Sequence, residues 1–321
     1  MNRDKGEKVP GKQILISTDA ENRRIDNYLF NELKGVPRSR IYQMLRKGEV
    51  RVNGGRKRPS YKLNLGDKVR IPPLRPVEPN NRLTPPGSYL EKMVMGCFLY
   101  EDDELVVLNK PSGIVVHGGS GRSWGIIELL RMLRSDAQSW QLVHRLDRET
   151  SGCLLIAKKM PVLRMLHEAL VSGGVEKQYL SLLKGNLSGK IKEIHEPLAS
   201  NRSRSGERMV EVNNLGKSAV TLLEKVRDYP EATLVRVRLQ TGRTHQIRVH
   251  AGHLGHPVAG DDKYGDREFN RRMRKMGLRR IFLHASLLRL PRMEFLVRTE
   301  FSAPLPTVLQ QVLDALDPCT G

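Results

Sequence analysis

The densest concentration of reactive side chains lies in QLVHRLDRETSGCLLIAKK, residues 141–159. Two apolar runs flank a polar centre, HRLDRETSG, which holds a histidine, two arginines, two acids, two hydroxyls and a glycine. Two readings fit it. In one, Asp147 is a turn residue neutralised by Arg145 or Arg148, with Thr150, Ser151 and Gly152 shaping a hairpin. In the other, Asp147 is held there as a nucleophile or proton acceptor. Local sequence alone favours the turn. A second constellation is LQTGRTHQIRVH, residues 239–250, where Arg243 and Arg248 bracket a histidine and a glutamine. An arginine here can cross the fold to a carboxylate, hold it ionised and orient it through a planar fork. It can equally contact phosphate or stay solvated. His245, His250, His253 and His256 raise the question of a metal. Gly252 and Gly255 interleave them, Pro257 follows, and no HExxH or acidic ligand accompanies them, so packing or RNA-facing roles are expected instead. GGSGRSWGIIELL, from Gly118, can cradle an anion at a helix start but lacks the GK[ST] ending of a nucleotide-binding loop. Tyr179 sits in VEKQYLSLL as a strand residue whose plain reading is core packing.

These residues need a scaffold. LVVLNK, QLVHRL, CLLIAKK, QYLSLLKG and TLVRVRLQ read as strands, and WGIIELLRML and PVLRMLHEALVSGG as helices. Strands dominate and hairpins separate many of them, which predicts α+β with a largely antiparallel sheet over residues 91–310. A separate small module spans residues 21–75. Ile25, Leu29 and Leu33 mark one helix face, and Ile41, Met44 and Leu45 mark another. EVRVNGG and DKVRIPP alternate as short strands. Six of the eighteen prolines fall between Pro72 and Gly87, so residues 76–90 read as an extended linker. Residues 1–20 and 311–321 are expected to be tails.

The chain carries a net charge of +20, and Glu21–Arg75 supplies half of it, with fifteen Lys and Arg against five Asp and Glu. A polyanionic partner fits, because neutralising phosphates releases counterions. No apolar run approaches the roughly 20 residues of a membrane span, and the polar N-terminus lacks a signal-peptide pattern. Three widely spaced cysteines argue against a disulfide scaffold and for a reducing cytoplasm.

RRIDNYLF, SRIYQMLRKGEVRVNG and KLNLGDKVRIP resemble the small RNA-binding domain of a ribosomal small-subunit protein. HRLDRETSG resembles the signature of the RluA-type RNA pseudouridine synthases. LNKPSGIVVH, EKQYLSLLKG, GKSAVT, TGRTHQIRVH, GHPVAGDDKYG and FLHASLL follow the order of that family's landmarks, from about residue 95 to 305. Within the family the chain most resembles members that modify large-subunit ribosomal RNA. The resemblance implies that Asp147 is the catalytic aspartate, that Tyr179 stacks on the target base and that Arg248 pairs with the aspartate. Arg145 and Arg243 are implied to support the site or the RNA, and His245 and Lys110 are expected contacts of the substrate or the RNA. Arg38, Arg40, Arg46, Lys47, Arg56 and Lys57 are expected RNA contacts of the small module. His253 and the basic segment Lys263–Arg280 are less typical of the family and bear on which RNA is bound. The implied reaction moves no electrons and spends no phosphate, so no cofactor or metal is expected, and a monomer is. Three rivals stand beside it: a synthase acting on transfer RNA, a non-catalytic ribosome-assembly protein, and a glycoside or nucleoside hydrolase. The hydrolase would normally need a second carboxylate flanking the bond.

Overall fold

The computed structural model describes residues 11–33, 36, 38–73, 88–118, 124–202 and 208–317, the side chains of 19, 38, 39, 88, 202 and 208 excepted. Most of the proline-rich linker and residues 119–123 of the glycine-rich stretch lie outside the described residues. The chain divides into two compact units, residues 1–84 and 85–321.

The first unit contains β1 (Lys12–Leu15), α1 (Ile25–Glu32), α2 (Arg38–Lys47), β2 (Arg51–Val52) and β3 (Lys68–Ile71). Its sheet runs β1-β3-β2, antiparallel throughout. The apolar stripes expected from the sequence are the core: Ile25, Leu29, Ile41, Met44 and Leu45 are all buried against Val52, Val69 and Ile71. The expected tail over residues 1–20 is corrected in its second half. Residues 12–15 form an edge strand on β3, and Ile16 and Ala20 are buried. KQIL shows no alternation of burial, because an edge strand is held by backbone pairing that its side chains do not advertise.

The second unit begins with α3 (Ser88–Met95), β4 (Phe98–Glu101), β5 (Leu105–Lys110), α4 (Ile126–Leu133), β6 (Gln141–Leu142), β7 (Ser151–Ala157) and α5 (Met160–Val171). It continues with β8 (Glu176–Lys184), β9 (Ile191–Ile194), β10 (Leu198–Arg202), β11 (Arg208–Val212), β12 (Thr221–Tyr229) and β13 (Ala232–Leu239). It ends with α6 (Gln246–His253), α7 (Arg267–Lys275), β14 (Leu283–Arg289), β15 (Glu300–Ser302) and α8 (Thr307–Leu316). The main sheet runs β4-β5-β7-β14-β8-β13-β12-β9, with β6 on β7 and β15 on β14. Its pairs are antiparallel except β7 with β14, and β10 and β11 make a separate hairpin. Helices cover both faces. On β5 and β7, Val106, Leu108, Leu154 and Ile156 share a core with α4 and α6. Leu105, Val107, Leu155 and Ala157 face the other way, toward α5. Burial on both faces explains why these strands read as continuous apolar runs.

Two expectations are corrected here. QLVHRL is extended only at Gln141–Leu142. At His144 the ladder ends, because the ring Nε2 accepts the Leu155 N–H at 3.1 Å in place of a carbonyl. The expected C-terminal tail starts too early, since α8 runs to Leu316 and buries Leu309, Val312, Leu313 and Leu316. That i, i+3, i+4, i+7 stripe is present in TVLQQVLDAL.

Candidate active site

Asp147 lies in the segment between β6 and β7, and its carbonyl accepts the Thr150 N–H at 3.2 Å to close a turn. The two carbonyls after it are gripped from elsewhere. The Arg148 carbonyl takes Lys110 Nζ at 3.0 Å and the Gly113 N–H at 2.9 Å. The Glu149 carbonyl takes Ser112 Oγ at 2.7 Å and Arg280 Nη2 at 3.3 Å. Arg280 Nη2 also reaches Ser151 Oγ at 2.8 Å, and Ser151 Oγ meets His284 Nδ1 at 2.9 Å. His284 Nε2 faces the Ala303 carbonyl at 3.1 Å. A carbonyl can only accept, so Nε2 carries the proton and Nδ1 accepts from Ser151. Burial pushes the Arg280 guanidinium down to about 10 and the His284 imidazole down to about 4.

Lys110 corrects an expectation. Assigned to RNA from the sequence, it is fully buried at the end of β5. Its other two protons go to the carbonyls of Pro111 at 2.9 Å and Ile114 at 2.8 Å. All three donors are spent inside the protein, although burial pushes the ammonium down to about 7. It holds the Asp147 loop and cannot reach a nucleic acid. Gly152, the second residue of β7, stands at φ +109°, and a Cβ there would overlap the Ala285 carbonyl of the parallel neighbour β14. The glycine therefore serves close strand approach as well as the turn.

The loop presents Asp147 to a pocket of about 100 Å3, lined also by Arg145, Tyr179, Arg243, His245 and Arg248. Asp147 is half-buried, and its two nitrogen neighbours stand off: Arg248 Nη1 and His245 Nε2 are each 3.9 Å from Oδ2. The short ion pair of Arg248 is with Asp261, through Nε at 2.7 Å and Nη2 at 2.6 Å. Burial alone would raise the Asp261 carboxyl. The fork and the N–H groups of Lys263 and Tyr264 outweigh it and hold the group below the usual carboxylate range. The guanidinium also lies 5.0 Å from the centre of the Tyr264 ring. Arg248 thus faces the aspartate across 3.9 Å, as the outer edge of a pair with Asp261. Asp261 went unrecognised in the sequence, where GDDKYG showed two adjacent acids without a partner.

His245 caps α6 in a left-handed conformation, φ 55°, which is strained for a non-glycine residue. Its Nδ1 lies 2.8 Å from the Tyr264 hydroxyl, whose oxygen accepts the Val210 N–H at 3.0 Å. The tautomer that satisfies all three groups has the phenol donating to Nδ1 and Nε2–H facing Asp147. Burial, against the pull of Asp147, holds the imidazole below its ordinary value. Tyr179, on β8, is buried. Burial first and Asp147 second raise its phenol above the ordinary value, so it stays protonated. Arg145 is exposed beside the pocket, and Arg243 is exposed with Nε on the Ser218 carbonyl at 3.0 Å.

The other candidates separate. His250 bonds Thr221 Oγ1 and the Glu196 carbonyl, both at 2.9 Å. His256 bonds the Lys184 carbonyl at 2.8 Å. Among the described residues no three metal-ligating side chains converge. Beside the glycine-rich stretch, the helix start of α4 is occupied by the chain's own Glu128, which accepts the N–H groups of Gly118 and Gly125 at 3.0 and 2.9 Å. In the first unit Arg46, Lys47 and Arg56 are exposed. Lys57 stands 4.5 Å over the Tyr61 ring, and Arg40 is tied to Glu49 by two bonds of 3.1 and 2.7 Å. The side chain of Arg38 lies outside the described residues.

Residues 104–253 match the family described as RNA pseudouridylate synthase, and residues 23–69 match the S4 domain. The chain is 50% identical over 323 residues to the ribosomal large subunit pseudouridine synthase C of Pasteurella multocida, covering 98% of each protein. It is 51% identical over 280 residues to the protein of that name from Escherichia coli, covering 87% of this chain and 88% of that one. Among solved structures it is similar to human RNA pseudouridylate synthase domain containing 4, with TM-score 0.59 and 26% identity over 71% of this chain and 95% of that one. Human RNA pseudouridylate synthase domain containing 1 gives TM-score 0.56 at 26% identity, over 70% and 86%. With half its residues identical to such relatives over nearly their whole length, and with Asp147 inside the matched segment, the chain belongs to the RNA pseudouridylate synthase family and carries an S4 domain N-terminal to it.

Proposed function

We propose that the protein isomerises uridine to pseudouridine in large-subunit ribosomal RNA, with Asp147 attacking a uridine flipped out of its stack. The observation that carries the assignment of Asp147 is its geometry. It is a half-buried carboxylate facing a small pocket, with nitrogens of Arg248 and His245 beside it but too far, each at 3.9 Å, to occupy its oxygens. In the reaction the bond from ribose C1′ to ring N1 breaks and the uracil turns in the pocket. A bond from C1′ to C5 then forms, C5 loses its proton and N1 gains one, so the atoms balance and the mass is unchanged. A base inside a helix is out of reach of Asp147, which requires flipping. Tyr179 supplies the stacking face, an interaction worth about 1–3 kcal/mol. Arg248 and the Nε2–H of His245 stabilise the carboxylate whenever it is the leaving or accepting group. Cys97 and Cys153 are free and buried, which supports a reducing cytoplasm. The names of the relatives favour ribosomal over transfer RNA.

The test has two arms. Asp147→Asn keeps the shape and removes the nucleophile. We expect pseudouridine formation to fall by at least about 10³-fold, in line with the loss of an essential nucleophile, while RNA binding persists. Normal turnover by this variant would sink the assignment. Mapping pseudouridine in a strain lacking the gene should show losses in large-subunit ribosomal RNA, and losses confined to transfer RNA would favour the rival substrate.

A further inference from the structure

A second cavity, of about 410 Å3, opens beside the catalytic pocket. Gly242, Arg243 and Thr244 line both, so the two cavities share a wall. The far side of the second cavity comes from the β10–β11 hairpin and the turn that follows it. Leu198, Val210 and Leu215 supply apolar surface and Lys217 a cation, and among the described residues no carboxylate lines it. This side is built by backbone pairing: Leu198 and Lys217 exchange both N–H···O bonds at 2.9 Å, and a Cβ on Gly216 would overlap the Leu198 backbone. Leu215 is 96% exposed and packs against nothing in the core. Arg243, on the shared wall, spends Nε on the Ser218 carbonyl, and neither Nη has a partner among the described residues. Lys217 likewise has no side-chain partner among them.

From this arrangement we infer that the second cavity receives the nucleotide next to the target uridine on the same RNA strand, with the phosphodiester between the two lying on Arg243. The inference rests on the isomerisation reading, which places a uridine in the first cavity. A flipped nucleotide remains covalently joined to its neighbours, so whatever enters the adjoining cavity does so through a phosphodiester at the shared wall. That wall presents a guanidinium anchored by one nitrogen with its fork unspent, which suits two phosphate oxygens. The apolar far side offers a face to a base, a sequence-tolerant interaction. Lys217 adds positive charge toward the RNA backbone.

The experiment is an abasic scan. A large-subunit ribosomal RNA stem-loop that the full-length protein binds is remade with each loop nucleotide abasic in turn. Affinity is measured for the wild type and for Leu215→Ala and Lys217→Ala, both exposed positions whose substitution leaves the core intact. At one position beside the modified uridine we expect the abasic change to weaken wild-type binding about tenfold, the scale of removing one stacked base. The same change should cost Leu215→Ala clearly less. Penalties that are equal in wild type and variants at every position, or coupling at a position not adjacent to the modified uridine, overturn the cavity assignment. Pseudouridine is scored on the same RNAs. Its absence with the wild type overturns the isomerisation reading, while coupling at a single position would still support a nucleotide in this cavity.

Discussion

Arg248 is the side chain whose position matters most to Asp147, and Asp261 sets it. Asp261 is fully buried and takes two of the three nitrogens of the guanidinium, leaving Nη1 to face Asp147 at 3.9 Å. A free arginine at that distance would close on Asp147 and spend its carboxylate oxygens in a bidentate pair. Asp261→Asn should therefore lower single-turnover pseudouridine formation by about 100-fold, the scale of a misplacement near 1 Å, while RNA affinity changes little. Thermal melting separates this from unfolding. A folded Asp261→Asn with wild-type turnover would mean that Arg248 needs no restraint.

At the scale of elements, the Asp147 loop depends on β7 and β14 lying side by side. Gly152 allows the approach, and Gly152→Ala should destabilise the protein by several kcal/mol, the range of severe core overpacking. Its readout is denaturant unfolding, and a loss under about 1 kcal/mol would show that β14 moves aside at little cost. His284, on β14, holds the next link through Ser151 and Arg280. Burial first, then Arg280, place its pKa at about 4 instead of 6.5. As pH falls, the unfolded chain takes up this proton before the folded one. The stability His284 contributes is complete above about pH 6.5 and is lost as pH drops toward 4, a change of about 3 kcal/mol. Protonation would also put a hydrogen on Nδ1, so the Ser151 hydroxyl could no longer donate to the ring. Unfolding free energies measured from pH 7 to 4 should fall less steeply for His284→Asn than for the wild type, and parallel slopes would assign the titration to another group.

Across the whole molecule, positive charge is distributed in excess of what folding uses. Some of it is neutralised internally, as in the pairs of Arg40 with Glu49 and Arg24 with Asp26. Arg46, Lys47 and Arg56 of the S4 unit are exposed and have no carboxylate partner among the described residues. Replacing these three with alanine in the full chain should weaken RNA binding and flatten the slope of log affinity against log salt by about 0.7 to 0.9 for each phosphate no longer neutralised. The rate at saturating RNA should stay near that of the wild type. An unchanged slope would remove these cations from the RNA surface, and a fall in the saturated rate would give the unit a part in the chemistry.

What the sequence determined by itself is what local pattern can encode. The stripes Ile25–Leu29 and Ile41–Met44–Leu45 record which helix faces meet a core, and CLLIA records a strand buried on both sides. HRLDRETSG marks a loop too polar for its surroundings, and Asp147 stands at the pocket there. Tertiary structure decided the partners. Lys110 reads as an RNA contact, yet the return of the Asp147 loop over β5 encloses its ammonium in three carbonyls. Arg248 meets Asp261 because α6 and the segment after it fold back on each other, and β1 pairs through backbone groups common to every residue. Periodicity reports how a residue faces its own element. Ion pairs, buried cations and shared cavity walls depend on which distant segments the sheet order makes neighbours, and that order is a property of the folded chain alone.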